Sequence, residues 1–203
     1  MNQAWELLFE GKIEEAKKLV SETFSLETCK DYSLLNLLGY IKLFEKDYKE
    51  ALLIYQKYLE IAISSQDKEN KHIGYHQLAM VYREMNDYQT ALNYIDKERE
   101  IIEKSFSEDT LKSSVNNYEQ GYLRLKLGEI AKAIMYMEQS LKQALQTDDL
   151  IAQACAYRGL GEIYQKLDSS KSHDYFSHAI QLFDKAGDEI GAEEVRDLID
   201  NKK

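Results

Sequence analysis

Apolar residues recur along this chain at steps of three and four. Ile130, Ala133, Ile134, Met137, Leu141, Ala144 and Leu145 form one such series, and Tyr48, Ala51, Leu52, Tyr55, Leu59 and Ala62 form another. That spacing is one face of an α-helix, and no segment alternates as a half-buried strand does. The pattern predicts an all-α chain of about eleven helices: five antiparallel hairpins and a C-terminal helix from about Asp188.

The series also repeat. Ile13-Glu-Glu-Ala16, Tyr48-Lys-Glu-Ala51, Tyr88-Gln-Thr-Ala91 and Ile130-Ala-Lys-Ala133 each place an alanine three after a large apolar residue, with another large one four further on. The alanines stand 35, 40 and 42 residues apart. A looser fifth copy holds Ser172, Phe176 and Ala179, with serine at the first small position. Upstream of the later copies lie Leu38-Gly39, Leu78-Ala79 and Leu160-Gly161, while Gln120-Gly121 keeps only the small residue. Turn signals split each unit at Gly11-Lys12, Lys46-Asp47, Asn86-Asp87, Gly128-Glu129 and Asp168-Ser169-Ser170. Ser105-Phe-Ser-Glu108 has the spacing of a capping box and predicts a helix start there. The units span about 1–25, 31–65, 70–105, 109–147 and 149–186, with a capping helix at 188–201, in one repeat domain over 1–203.

A glycine inside a helix costs about 1 kcal/mol against alanine, so its return at one register implies a packing gain. Gly39, Ala79, Gly121 and Gly161 are expected to meet Ala51, Ala91 and Ala133 where paired helices cross. On these residues, above all Tyr75-His-Gln-Leu78-Ala79-Met-Val-Tyr82 with Tyr88-Gln-Thr-Ala91, and Tyr157-Arg-Gly-Leu160-Gly161-Glu-Ile-Tyr164, the chain resembles the tetratricopeptide repeat proteins. The usual proline between repeats is missing and the middle period is 40–42 rather than about 34, which longer helices explain. That variant is similar to the repeats of kinesin light chains, LGN-type adaptors and bacterial peptide-pheromone receptors. The resemblance implies a right-handed superhelix with a concave groove lined by the first helix of each hairpin.

Composition narrows the function. There is no proline, which favours unbroken helices. The 26 basic residues against 36 acidic ones leave a net charge of −10, with no basic block to displace counterions from phosphates or bind an anionic bilayer. Neither nucleic acid nor membrane is expected as a partner. Cys29 and Cys155 are far apart and in no paired motif, as in a reduced cytoplasmic chain.

Catalytic signals are weak, so no enzyme and no cofactor is expected. Gly159-Leu-Gly161 lacks the third glycine of a phosphate loop and sits in a helical segment. His72 and His76 share a helix face, but no third ligand is fixed by any motif, and no metal site is assigned.

The informative residues lie on the face of each first helix that does not pack on its partner. Counted from the small mid-helix residue, that stripe holds Asn36, Tyr40, Leu43 and Phe44; His76, Met80, Arg83 and Glu84; Tyr118, Tyr122, Leu125 and Lys126; and Arg158, Glu162, Gln165 and Lys166, with Trp5 in the first unit. The expected peptide-binding set is Trp5, Asn36, Tyr40, Phe44, His76, Met80, Arg83, Tyr118, Tyr122, Leu125, Arg158, Glu162 and Gln165. Aromatic residues and arginine dominate binding energy at interfaces, although Tyr40, Phe44 and Tyr122 could equally pack on a neighbouring repeat. The set lacks the basic residues of carboxylate-clamp repeats, which disfavours a chaperone tail. The leading expectation is a protein- or peptide-binding module, monomeric or homodimeric. The alternatives are the sensing part of a bacterial peptide-responsive regulator without its output domain, and a self-associating scaffold.

Overall fold

The computed structural model describes residues 2–20 and 28–200, and every regular element in them is an α-helix. In order they are α1 (Asn2–Phe9), α2 (Ile13–Val20), α3 (Tyr32–Phe44), α4 (Tyr48–Ser64), α5 (Lys68–Glu84), α6 (Tyr88–Ser105), α7 (Thr110–Lys126), α8 (Ile130–Ala144), α9 (Leu150–Tyr164), α10 (Ser169–Ala186) and α11 (Glu189–Asp200). The expected first unit ran to residue 25 and the capping helix to 201; Met1, 21–25 and 201 lie outside the described residues. The chain forms two compact units, 1–98 and 99–203, with the boundary inside α6.

The spacing of helix starts and stops comes from two devices. Asp31, Asp47, Asp67, Asp87, Asp109, Asp149, Asp168 and Asp188 each accept a hydrogen bond from a backbone N–H two or three residues on, satisfying donors that a helix start leaves free. At the other end a left-handed residue stops the helix: Gly11, Gly128 and Gly187, but also Lys46, Gln66 and Asn86, with φ between 57° and 61° for the last three. At Lys46 the turn is complete in both senses. Asp47 N–H reaches back to Lys42 O at 2.9 Å, and the Asp47 carboxylate then caps α4. Proline is not needed to break these helices. The predicted capping box is corrected here: α6 runs through Ser105, and Asp109 caps α7 by accepting from Lys112 N at 3.0 Å.

In unit 1, Ala4, Leu8, Ala16 and Val20 of the first hairpin bury against Leu37 and Ile41 of α3. Ala51 and Tyr55 of α4 then meet Leu78 and Val81 of α5. In unit 2, Ala133 and Met137 of α8 meet Leu160 and Ile163 of α9, and Ala154, Phe176, Ala179 and Phe183 bury with Ala192 and Val195 of α11. The repeated alanines at 16, 51, 91 and 133 are all at 0% exposure and Ser172, at the same place in the fifth copy, is at 3%, so the sequence period is the packing period.

The crossing of paired helices differs in one detail from the sequence expectation. A side chain added at Gly39 would run into the Tyr55 ring, and one added at Gly161 into the Phe176 ring; at Gly121 it would lie 3.1 Å from Met137 Cε and 3.2 Å from Ala133 O. The space under each glycine is thus filled mainly by the large residue four after the small one, rather than by the alanine. In the looser fifth copy Ser172 takes the alanine's place and its hydroxyl donates to Gly161 O at 2.9 Å, so the buried polar atom is satisfied.

Candidate functional site

The face of the first helices is filled to different degrees in different places. In unit 1, Trp5 and Tyr40 meet edge to face, ring centres 5.4 Å apart, and both are half-buried. Asn36 is half-buried; its backbone carbonyl accepts from the Tyr55 hydroxyl, while its side-chain Oδ1 is buried without a hydrogen-bond partner. Phe44 stands in solvent at 51% exposure, and Met80 is buried. His76 Nδ1 lies 3.2 Å from Glu98 Oε2, and the other oxygen of this buried carboxylate lies 3.6 Å from His72 Nδ1. Arg83 rests beside Glu84 at 3.4 Å.

In unit 2 the aromatic pair Tyr118 and Tyr122 lies nearly parallel, with centres 6.3 Å apart, and Lys126 Nζ stands 5.0 Å from the Tyr122 ring centre. Burial holds the Tyr118 hydroxyl pKa well above its ordinary value. Leu125 packs beside these rings in the core shared by α8 and α9. Arg158 Nε donates to Glu162 at 3.1 Å and its Nη1 to Glu194 of α11 at 2.6 Å. Gln165 Nε2 donates to Leu198 O, also in α11, at 2.8 Å. The expected polar contacts of α9 therefore hold the last helix. The structure brings together three pairs from the expected set: Trp5 with Tyr40, Tyr118 with Tyr122, and Arg158 with Glu162.

One feature lies mostly outside the counted stripe, which meets it only at Tyr118. Between α7 and α9 is an open hollow of about 290 Å³, reaching down to Ser140 of α8. Its walls are Val115 and Tyr118 on α7 and Ile151, Ala152 and Cys155 on α9, with Ser114, Glu119 and Asp149 as polar lining. Val115 and Ile151 remain 37% and 40% exposed, whereas Glu119 is 4% exposed. The counted stripe began three residues before the small mid-helix residue and so missed this turn. Val115 and Cys155 both stand six before it, Gly121 in one case and Gly161 in the other, so extending the register by one turn recovers the hollow. Below it, Ser114 and Ser140 exchange hydroxyl-to-carbonyl bonds at 2.9 Å in both directions, which fixes α7 on α8. Burial pushes the Cys155 thiol up to about 11, so it stays protonated near neutral pH.

Among the described residues no group of three or more His, Cys, Asp or Glu side chains is placed to hold a metal, and no helix is long and apolar enough to cross a membrane.

Models of the tetratricopeptide repeat match residues 112–185, and residues 32–62 and 74–97. A TPR repeat-containing protein of Methanocaldococcus jannaschii is 27% identical over 180 residues, which are 88% of this chain; the chain spans 28% of that relative's length. Among solved structures, BtubC from P. vanneervenii superposes with a TM-score of 0.65 at 18% identity, covering 83% of this chain and 78% of its own. A putative kinesin light chain from Podospora anserina with nearly identical TPR-like repeats gives 0.64 at 15%, covering 91% and 93%. The apo form of RapI gives 0.64 at 18%, covering 90% of this chain and 54% of RapI. At these identities the structural likeness is one of fold.

Proposed function

The chain belongs to the tetratricopeptide repeat family, and from that premise we propose that it is a non-enzymatic module that holds a peptide or helical segment of a partner protein. The observation that carries this reading is the hollow between α7 and α9, where Val115 and Ile151 keep apolar surface in solvent that the fold does not need for its own core. Tetratricopeptide repeats are generally interaction modules, and a segment that docks by a few apolar anchors is a recurring recognition mode. In unit 2 the partner segment lies along α7 and α9, against Tyr118, Tyr122 and Leu125. Taken by itself, unit 1 offers a surface of the same kind, from the exposed Phe44 and the half-buried Tyr40, with Asn36 offering its amide. The two cysteines, neither of them in a disulfide, suit the cytoplasmic location expected from the sequence.

The test is a photo-crosslinker, benzoylphenylalanine, placed at Val115 on the hollow and separately at Met135, which is 45% exposed on α8 away from it. In cells producing the protein, position 115 is expected to crosslink a partner polypeptide and position 135 is not. Crosslinks at 115 only to further copies of the chain would shift the reading to self-association, and equal crosslinking from both positions would remove it.

A further inference from the structure

The hollow between α7 and α9 has a chemical character as well as a shape. Its wall is aliphatic and aromatic, from Val115, Ile151, Ala152 and Tyr118, while its charged lining is purely acidic, from Glu119 and Asp149. The cations near it are already committed: Arg158 to Glu162 and Glu194, and Lys112 to Asp109 at 2.8 Å. At about 290 Å³ it falls just below the range that whole small-molecule ligands fill, and suits one long side chain.

We propose that this hollow receives a lysine or arginine side chain of the bound segment, its methylene stem against Val115 and Ile151 and its charged head toward the Asp149 carboxylate. The proposal rests on the reading of the chain as a peptide-binding module and specifies what that peptide carries. A long basic side chain is the one type that satisfies both halves of the lining, because its stem is apolar and its tip is cationic. Asp149 spends Oδ1 on the Ala152 N–H at 2.8 Å, capping α9, and its Oδ2 engages no other described residue. That carboxylate also offsets the positive end of the α9 dipole, which would otherwise repel a cation there. The net charge of −10 favours the approach of a basic segment from a distance. An acidic side chain would be repelled by the Asp149 carboxylate and a purely aliphatic one would leave its Oδ2 unmatched, and a charge-assisted hydrogen bond is the stronger kind.

The experiment selects binders to the full chain from a displayed library of randomised twelve-residue peptides, then measures the best by fluorescence anisotropy. Selected peptides are expected to place Lys or Arg beside an aliphatic residue, and replacing that basic residue by norleucine is expected to weaken binding about tenfold or more. Ile151→Lys, which fills the hollow with a cation from an exposed position, should weaken binding by a similar factor, while Met135→Lys leaves it unchanged. Circular dichroism checks that each variant is folded, and Val115→Lys replaces Ile151→Lys if the latter is not. Binders whose affinity survives both the norleucine exchange and the lysine variants would overturn the assignment while leaving the interaction-module reading in place. Failure to select any binder would overturn both.

Discussion

A single missing methyl group sets the distance between paired helices in this protein. Because the Phe176 ring occupies the space over Gly161, Gly161→Ala must push that ring or separate α9 from α10. Overpacking of this kind costs roughly 1–3 kcal/mol, read as a fall in Tm by thermal denaturation. Phe176→Leu in the same chain should recover part of the loss, since the pair shares one volume. A second residue-scale expectation concerns Cys155. Its pKa of about 11 against an ordinary 9.0 leaves about a hundredfold less thiolate near neutral pH, so alkylation should lag an ordinary thiol by about that factor. The unfolded chain ionises this thiol first, so the contribution of Cys155 to stability is present below pH 9 and is lost as pH rises toward 11. The sequence period identified the buried alanines correctly, because an apolar period reports burial. It did not report what fills the space over each glycine, since Tyr55 and Phe176 differ in shape from Met137 and only the packed rotamer decides.

At the scale of the element, helix ends carry the information that proline carries elsewhere in the family. Lys46 and Gln66 are exposed and hold the left-handed conformation that costs a side-chain-bearing residue roughly 1–2 kcal/mol. Lys46→Gly and Gln66→Gly should each raise Tm by about 2–4 °C per kcal/mol released, measured by calorimetry. The caps predict an acid response. Hydrogen bonds from the Asn70 backbone and side chain hold Asp67 below its ordinary 3.8, and those from Lys112 do the same for Asp109. The stabilisation from both is therefore present above pH 3.8 and is lost as pH falls through the lower folded values. Asp67→Asn keeps the cap and should flatten that part of the pH–Tm profile, whereas Asp67→Ala should cost about 1 kcal/mol at every pH above it. These ends were only half legible in the sequence. Asp47, Asp87 and Asp168 sit in obvious turn signals, but Ser105-Phe-Ser-Glu108 offered a competing start. It lost because α6 keeps its ladder to Phe106, whose N–H reaches Ile102 O at 2.8 Å, and the Asp109 carboxylate is then the first acceptor free to cap α7.

For the whole molecule, stability should be graded along the chain rather than uniform. The first hairpin is built from two eight-residue helices, whereas α4 to α10 run to 15–18 residues. Short helices bury less and nucleate poorly. Hydrogen exchange should therefore find the weakest amide protection in α1 and α2 and the strongest in α7 and α8, which the Ser114–Ser140 bonds join; uniform protection would contradict this. The fold class and the hairpin order were readable from the sequence because a repeated apolar stripe leaves one solution. The open hollow was less readable. Counting from the small residue reached Tyr118 at its edge but stopped a turn short of Val115 and Cys155, and a stripe of positions does not tell which side chains their own neighbours will cover. Arg158 and Gln165 are spent on α11, and Val115 and Ile151 are not covered.

The pairing of each glycine with a bulky residue on the following helix also limits how such a chain can be recombined. A chimaera joined inside a hairpin, between α3 and α4 or between α9 and α10, would set one hairpin's notch against a plug shaped for another, Tyr55 where Phe176 belongs. A chimaera joined after a second helix, at Ser65 to Asp67 or at Gln146 to Asp148, would carry notch and plug together as one inherited cassette.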